Sequence, residues 1–378
     1  MKRLILLLLI VFICYVSKPL WEEPVQQLVP SSSIGDSFRS TVDFVKDKAN
    51  NNFSLNNLNQ QLNSLFQSHD NPPSESRDAN VETPELTAPK DDTFSIHNIE
   101  LGESRDEVEQ ETGEPQRTSK NEYGVSWEAY HHNYQNFIMV AYDKKDIVRG
   151  LFTNQDLIAS STGIELGSSK QAVRDQLGTP ESTMRKGLVN YQINGNGEYD
   201  VFRLDNNYVT VFYDEHENNT VTAIQMIDEG LEQNKDNIYT ESSQQLKEGF
   251  EYQLFDLTNA TRVKHNLPIL TWDNDVRETA RKHSRDMAEN QYFDHTNLQG
   301  QSPFDRMKED DIQFNMAGEN LAYGQFSSIF AHEGLMNSLG HRENILKENY
   351  QYLGVGVAFN NKSQPYYTEN YYSDSLSL

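Results

Sequence analysis

Apolar positions recur along this chain in three distinct patterns, separated by long polar stretches. Leu4 to Val16 is an unbroken apolar run behind Lys2-Arg3. In the last third, Leu246, Phe250, Leu254 and Leu257 recur at spacings of about four and three, which predicts a helix over 244–264. Asp273 or Asn274 caps a second helix running to about Asn290, on which Val276, Ala280, Ser284 and Met287 share a face. Ser302-Pro303 opens a short helix, and Ser327-Ser328 caps another reaching about Ser338. Tyr352 to Phe359 alternates glycine with apolar residues, and Pro365 to Tyr372 is rich in aromatics. Together they predict an antiparallel hairpin around Asn360-Asn361.

The middle of the chain carries an internal repeat. Leu101-Gly102-Glu103-Ser104 returns as Leu166-Gly167-Ser168-Ser169, Val108 as Val173, and Gly113-Glu114-Pro115 as Gly178-Thr179-Pro180. Each segment reads as a Ser-capped helix closed by Gly-x-Pro, followed by an antiparallel meander. The meanders run through Phe137–Asp143 to Ile147-Val148, and through Tyr208–Asp214 to Val221–Ile224. The Tyr-Asp ending each first strand marks a turn. Two such units read as halves of one α+β domain over 94–235. His131-His132 falls in this region. Neighbours on a strand point to opposite faces, so the pair reads as surface histidines rather than a chelate.

The N-terminus has the basic and hydrophobic regions of an export signal. The run is short of the about 20 residues that span a membrane, and Lys18 with Pro19-Leu20-Trp21 extends it. No small-residue cleavage site follows. Residues 1–21 therefore read as an uncleaved signal anchor, with a cleaved signal peptide and secretion as the alternative, and the bulk of the chain outside. Residues 22–93 read as a stalk. Leu55, Leu58, Leu62 and Leu65 have helical spacing but sit among Asn and Gln, which favours a fluctuating linker over a short helix or dimer seam. Asp70 to Asp92, rich in Pro, Ser and acid, reads as disordered spacer. Residues 230–242 read as a polar connector, and 243–378 as the last domain.

Composition narrows this picture. A formal net charge of −25 over 378 residues repels phosphates, which argues against nucleic acid as a partner. Cys14 is the only cysteine, so no intramolecular disulfide is available.

Candidate chemistry concentrates in Phe293-Asp294-His295, Gly318-Glu319-Asn320 and Gly340-His341-Arg342-Glu343-Asn344. Two imidazoles and a carboxylate can hold a divalent metal with open positions, or run acid–base chemistry near neutral pH. Plain structural roles also fit: His295 as a cap, Glu319 accepting backbone N–H groups, His341 as a helix-start residue. His332-Glu333 begins like a zinc-protease motif, but Met336 stands at its closing position. Ser338 lies near His341 in sequence, a Ser-His pair without a clear third member.

Several further segments accompany these in order: Asn266–Trp272, His283–Ala288, Met336-Asn337-Ser338 and Leu353–Val357. Residues 246–372 thereby resemble the CAP superfamily of SCP-like proteins (cysteine-rich secretory, antigen 5, pathogenesis-related 1), in its bacterial form. Residues 94–235 resemble the CAP-associated N-terminal domain. The resemblance implies an α–β–α sandwich, within an overall α+β class, and a cleft lined by two His and two acidic residues. His295, Glu319 and His341 map onto three of these. The fourth falls near Ser338, with Leu335 replacing the usual Trp and Glu333 the nearest carboxylate. Three functions follow as expectations. The first is an envelope binding module taking a metal, lipid, peptide or glycan, with His295 and His341 as ligands for an ion such as zinc. The second is a His/Glu hydrolase of envelope polymer or peptide. The third is a scaffold that meets a protein partner through 94–235.

Overall fold

The computed structural model describes residues 81–374, which belong to one compact unit. The N-terminal anchor and the leucine-spaced part of the stalk lie outside the described residues. Among the described residues no helix is long and apolar enough to cross a membrane.

The chain from 81 to 92, read as disordered spacer, is instead held along the folded region. Its backbone amides find side-chain acceptors: Val81 on Gln135, Thr87 on Asn98, and Lys90, Asp91 and Asp92 on Glu100. Satisfied backbone groups substitute here for the apolar burial that the composition lacks.

Elements follow in the order β1 (Phe94–Ile96), α1 (Arg105–Thr112), β2 (Arg117–Lys120), β3 (Ser126–His132), β4 (Gln135–Tyr142), β5 (Val148–Thr153) and β6 (Ile158–Ser160). Next come α2 (Lys170–Leu177), β7 (Thr183–Lys186), β8 (Val189–Gln192), β9 (Tyr199–Leu204), β10 (Asn207–Asp214) and β11 (Thr220–Asp228). Ser104 caps α1 in a capping box with Glu107, and Ser169 caps α2 through the Ala172 amide. Gly113 and Gly178 end them at φ 76° and 85°, where a side chain would be strained. Asp143 and Asp214, the acids ending the two predicted strands, accept backbone amides from the turns that follow. The meanders join edge to edge in one seven-stranded sheet, order β2-β3-β4-β5-β11-β10-β9, with β5 antiparallel to β11. Alternate residues face opposite ways, as a period of two requires. Tyr130, Ile138 and Val140 pack with Val108 and Val173 of α1 and α2. Trp127, Met139 and Phe212 pack with the C-terminal region.

That region comprises α3 (Glu229–Gln233), α4 (Gln244–Lys264), β12 (Thr271–Trp272), α5 (Asn274–Asn290), α6 (Pro303–Glu309), β13 (Met316–Tyr323), α7 (Ser328–Asn337), α8 (Leu339–Ile345), β14 (Tyr352–Phe359) and β15 (Pro365–Ser373). The last two form the predicted hairpin in a four-stranded sheet, order β12-β14-β15-β13. Val355, Val357, Tyr367 and Tyr371 face α4 and α7. On the other face, a Cβ at Gly354 or Gly356 would strike the backbone of α5 at Arg277 or Arg281. The glycines thus let α5 lie against β14, and the outcome is a three-layer α–β–α sandwich.

Helix α4 is buried on nearly every side, its polar residues included, because it lies between both regions. Gly249 leaves room for the Lys120 carbonyl of β2. Gln253 donates to the Ser119 hydroxyl and the Lys120 carbonyl, and Asp256 accepts from Arg117 (2.9 Å) and Tyr134 (2.9 Å). The polar connector 230–242 includes most of α3, and its Tyr239 donates to the Gly324 carbonyl.

Candidate functional site

Glu319 sits on β13 with its side chain nearly sealed, and both oxygens are taken. His295 Nδ1 lies 2.9 Å from Oε1, and Arg306 Nη2 donates to Oε2 at 2.6 Å. Burial alone would raise this carboxyl. The His295 hydrogen bond and the Arg306 and His295 charges outweigh it and hold Glu319 below its ordinary 4.5. It is an ionised carboxylate at neutral pH.

Arg306 comes from α6, which starts at a capping box between Ser302 and Asp305 with Pro303 in its first turn. Its Nη1 also donates to the carbonyls of His295 (2.7 Å) and Gln301 (3.1 Å). One guanidinium thereby fixes both the carboxylate and the loop that carries His295.

A carboxylate only accepts, so His295 Nδ1 carries the hydrogen bonded to Glu319. Of the two neutral tautomers, this bond selects the one with its lone pair on Nε2. The His295 side chain is 41% exposed, so this ring meets solvent. Glu319 in this arrangement orients an imidazole, as carboxylates do behind metal-binding histidines.

His341 is the third residue of α8. Ser338 occupies the N-cap position yet makes no capping bond; its hydroxyl lies 2.8 Å from His341 Nδ1. Burial, and then the nearby His295 charge, push His341 down to about 4, so its ring is neutral. Two asparagines brace the strand to the helix. Asn344 donates to the Glu319 carbonyl (3.2 Å) and to Asn320 Oδ1 (2.9 Å), and Asn320 donates to the His341 carbonyl (3.2 Å). Gly318 is required beside them, because a Cβ there would meet the Tyr350 hydroxyl and Asn344 Oδ1.

Asn320 also donates to Glu369 Oε2 (3.1 Å), as does the Tyr371 hydroxyl (2.7 Å). Burial pushes Glu369 up to about 7, since no cation offsets it.

Three of the four sequence-predicted residues therefore come together: His295 and Glu319 in direct contact, His341 within electrostatic reach. Glu333 does not join them. It is buried on α7 beside Lys264, Asp214 and Arg342, and burial first, against Lys264, raises it to about 7. His131 is a packing residue: its ring stacks on Tyr134 at 4.1 Å and its Nδ1 accepts the Tyr134 amide, while His132 is exposed. His332 is fully buried, its Nε2 2.7 Å from the Thr261 hydroxyl.

No sequence motif marks Arg306 as part of the site. Its setting in Arg-Met-Lys-Glu looks like a solvated helix face; the capping box three residues before Asp305 was the available signal.

Among the described residues no group of three His, Cys, Asp or Glu side chains is placed to hold a metal ion. Glu319 is committed to Arg306 and His295, which leaves Nε2 of His295 as an electron-pair donor, joined by Nε2 of His341 in the tautomer whose Nδ1 donates to Ser338.

Family models match the chain twice: the CAP-associated N-terminal model over residues 101–238, and the cysteine-rich secretory protein family over residues 255–371. Residues 255–371 are a CAP domain, preceded by a CAP-associated N-terminal domain. The chain is 29% identical over 297 residues to the uncharacterized membrane protein YlbC of Bacillus subtilis, covering 72% of this chain and 82% of that protein. The chain is also 43% identical over 107 residues to the uncharacterized protein YkwD of the same organism, covering 28% of this chain and 42% of that one. An extracellular SCP-domain protein of Bacillus anthracis has the same fold, with a TM-score of 0.63 at 23% identity over 78% of this chain and all of that chain. A cysteine-rich secretory protein of Staphylococcus aureus gives 0.58 at 13% identity, over 75% and 95% of the two chains.

Proposed function

We propose that this protein is a membrane-anchored, extracytoplasmic binding module of the bacterial envelope, whose CAP cleft holds its ligand at His295 and His341. One observation carries this reading. Glu319 has both oxygens occupied and is fixed as an ion, so it orients His295 rather than exchanging protons with a substrate. What remains available is a neutral His341 and a His295 ring with Nε2 directed away from Glu319. The basic residues and apolar run at the N-terminus support the anchor, as does the membrane-protein name of the Bacillus subtilis relative. The repeated Leu-Gly-x-Ser and Gly-x-Pro segments we read as a duplication within the CAP-associated domain.

The ligand offers either an electron-pair acceptor, such as a divalent metal ion, or a donor hydrogen on a lipid headgroup, peptide or glycan. A zinc ion would be held by the two Nε2 atoms, with Glu319 behind His295, and would supply a positive centre for a further ligand. A test compares wild type with His295→Ala/His341→Ala by calorimetry against zinc, and by pull-down of envelope lipid, peptide and glycan fractions. Binding that disappears in the double variant supports the reading; every ligand retained at unchanged affinity removes it.

The oriented His295 ring also favours a second reading, in which Nε2 accepts a proton from water and the cleft hydrolyses envelope polymer or peptide. That reading requires product release by the purified protein and its loss in Glu319→Gln. Equal release by the variant sinks it.

A further inference from the structure

We infer that the CAP-associated domain is a built-in positioning partner for the CAP cleft, acting through a clamp on the segment that carries Ser338 and His341. The inference concerns the same cleft as the proposed function but does not depend on what the cleft binds.

The clamp is made by the end of β10 and the 3₁₀ turn after it, Glu215–Glu217. It grips the residues that bracket the Ser338–His341 pair. On one side is Asn337, the last residue of α7. Its Nδ2 donates to the Tyr213 carbonyl (2.9 Å), its Oδ1 accepts the Glu215 amide (2.9 Å), and its carbonyl accepts from His216 Nε2 (3.0 Å). On the other side is Arg342, next to His341. Its Nη1 donates to Asp214 Oδ2 at 2.8 Å, with both side chains less than a tenth exposed. The same nitrogen reaches back to the Met336 carbonyl (3.3 Å). Asp214 is itself rigid, because its other oxygen caps the turn at the His216 amide.

The need for such a clamp is local. At the junction of α7 and α8, Ser338 ends one helix and starts the next, yet its hydroxyl is on His341 Nδ1 and not on a helix amide. The first amides of α8 lack the side-chain cap that would fix the start of a seven-residue helix. Helices this short are marginal without outside contacts. Within the CAP domain, Asn320 and Asn344 supply such contacts between β13 and α8; at the start of the helix they come from the CAP-associated domain, through Asn337 and Arg342. Asp214 and His216 are therefore positioning residues for His341, some 125 residues away in sequence.

Charge reversal tests this on the full-length protein, read by hydrogen exchange and by carbethoxylation of individual histidines. Asp214→Arg and Arg342→Asp should each speed exchange of amides 338–346 about a hundredfold, since each leaves a buried charge unpaired. Amides of β14 and β15 should keep their protection, and His341 should react severalfold faster with His295 unchanged. The double reversal should restore both readouts. Where a reversal unfolds the chain, Asp214→Asn and His216→Ala carry the test, with about a tenfold local effect. Unaltered exchange over 338–346, or acceleration spread evenly over both domains, overturns the inference. Neither readout involves a ligand, so its failure and the failure of the binding reading are separate results.

Discussion

Replacing Glu319 with Gln tests the electrostatic core of the site. The substitution keeps the shape of the side chain and removes its charge. Arg306, with 7% of its side chain exposed, is left as a buried cation without its anion. Breaking a buried pair on one side costs about 3–5 kcal/mol, and the His295 bond weakens as well. The effect depends on pH with a definite sign. Glu319 is held below its ordinary 4.5 in the folded protein. Its ionised form therefore contributes stability that is fully present above about 4.5 and is lost as pH falls through the depressed folded value. Urea unfolding of wild type and Glu319→Gln should differ by about 3–5 kcal/mol at pH 7, and the gap should narrow as pH falls below 4.5 toward the depressed folded value. Arg306→Gln and the double variant complete a cycle, in which the double should be less damaging than the sum of the singles. A gap under about 1 kcal/mol at pH 7, or one that stays constant down to pH 3, would refute the assignment of Glu319 as a paired, buried ion.

Glu369 should show the opposite sign. Its carboxyl is raised to about 7, so wild-type stability is full below about 4.5 and falls as pH rises through about 7; Glu369→Gln should flatten that decline in an unfolding series across this window. Gly318→Ala should destabilise the protein by about 1–3 kcal/mol in thermal or urea unfolding, because its Cβ collides with the Tyr350 hydroxyl and Asn344 Oδ1. Ser338→Ala should remove about 1 kcal/mol of stability and loosen the His341 ring, seen as faster carbethoxylation at that histidine; an unchanged rate contradicts the Ser338–His341 bond.

Much of the CAP domain was legible because its helices obey simple periodicity. The Leu246–Leu257 spacing, the Asp273 cap and the glycine-apolar alternation of Tyr352–Phe359 each correspond to the element observed. His295 and Glu319 were legible through the aromatic and glycine residues beside them. What escaped was set by contacts distant in sequence. Arg306 reads as surface until Glu319, thirteen residues on, is folded against it. Glu333 reads as a spare carboxylate for the cleft, but its helix turns it toward Lys264 and the Asp214 end of β10. Helical periodicity alone gives no reason to bury Gln253 and Asp256 of α4, yet both are buried because β2 packs on that side of the helix. No local pattern encodes a partner surface that arrives from 120 residues earlier.

The central claim is that Glu319 sets the His295 ring with Nδ1 protonated and Nε2 open for a ligand. Nitrogen-15 NMR of histidine-labelled protein at pH 8, assigned with His295→Gln, reads this directly. The His295 ring should bear its hydrogen on Nδ1, with zinc perturbing Nε2 alone, and should show a mixed tautomer in Glu319→Gln. A His295 ring with its hydrogen on Nε2 in the wild type would contradict it.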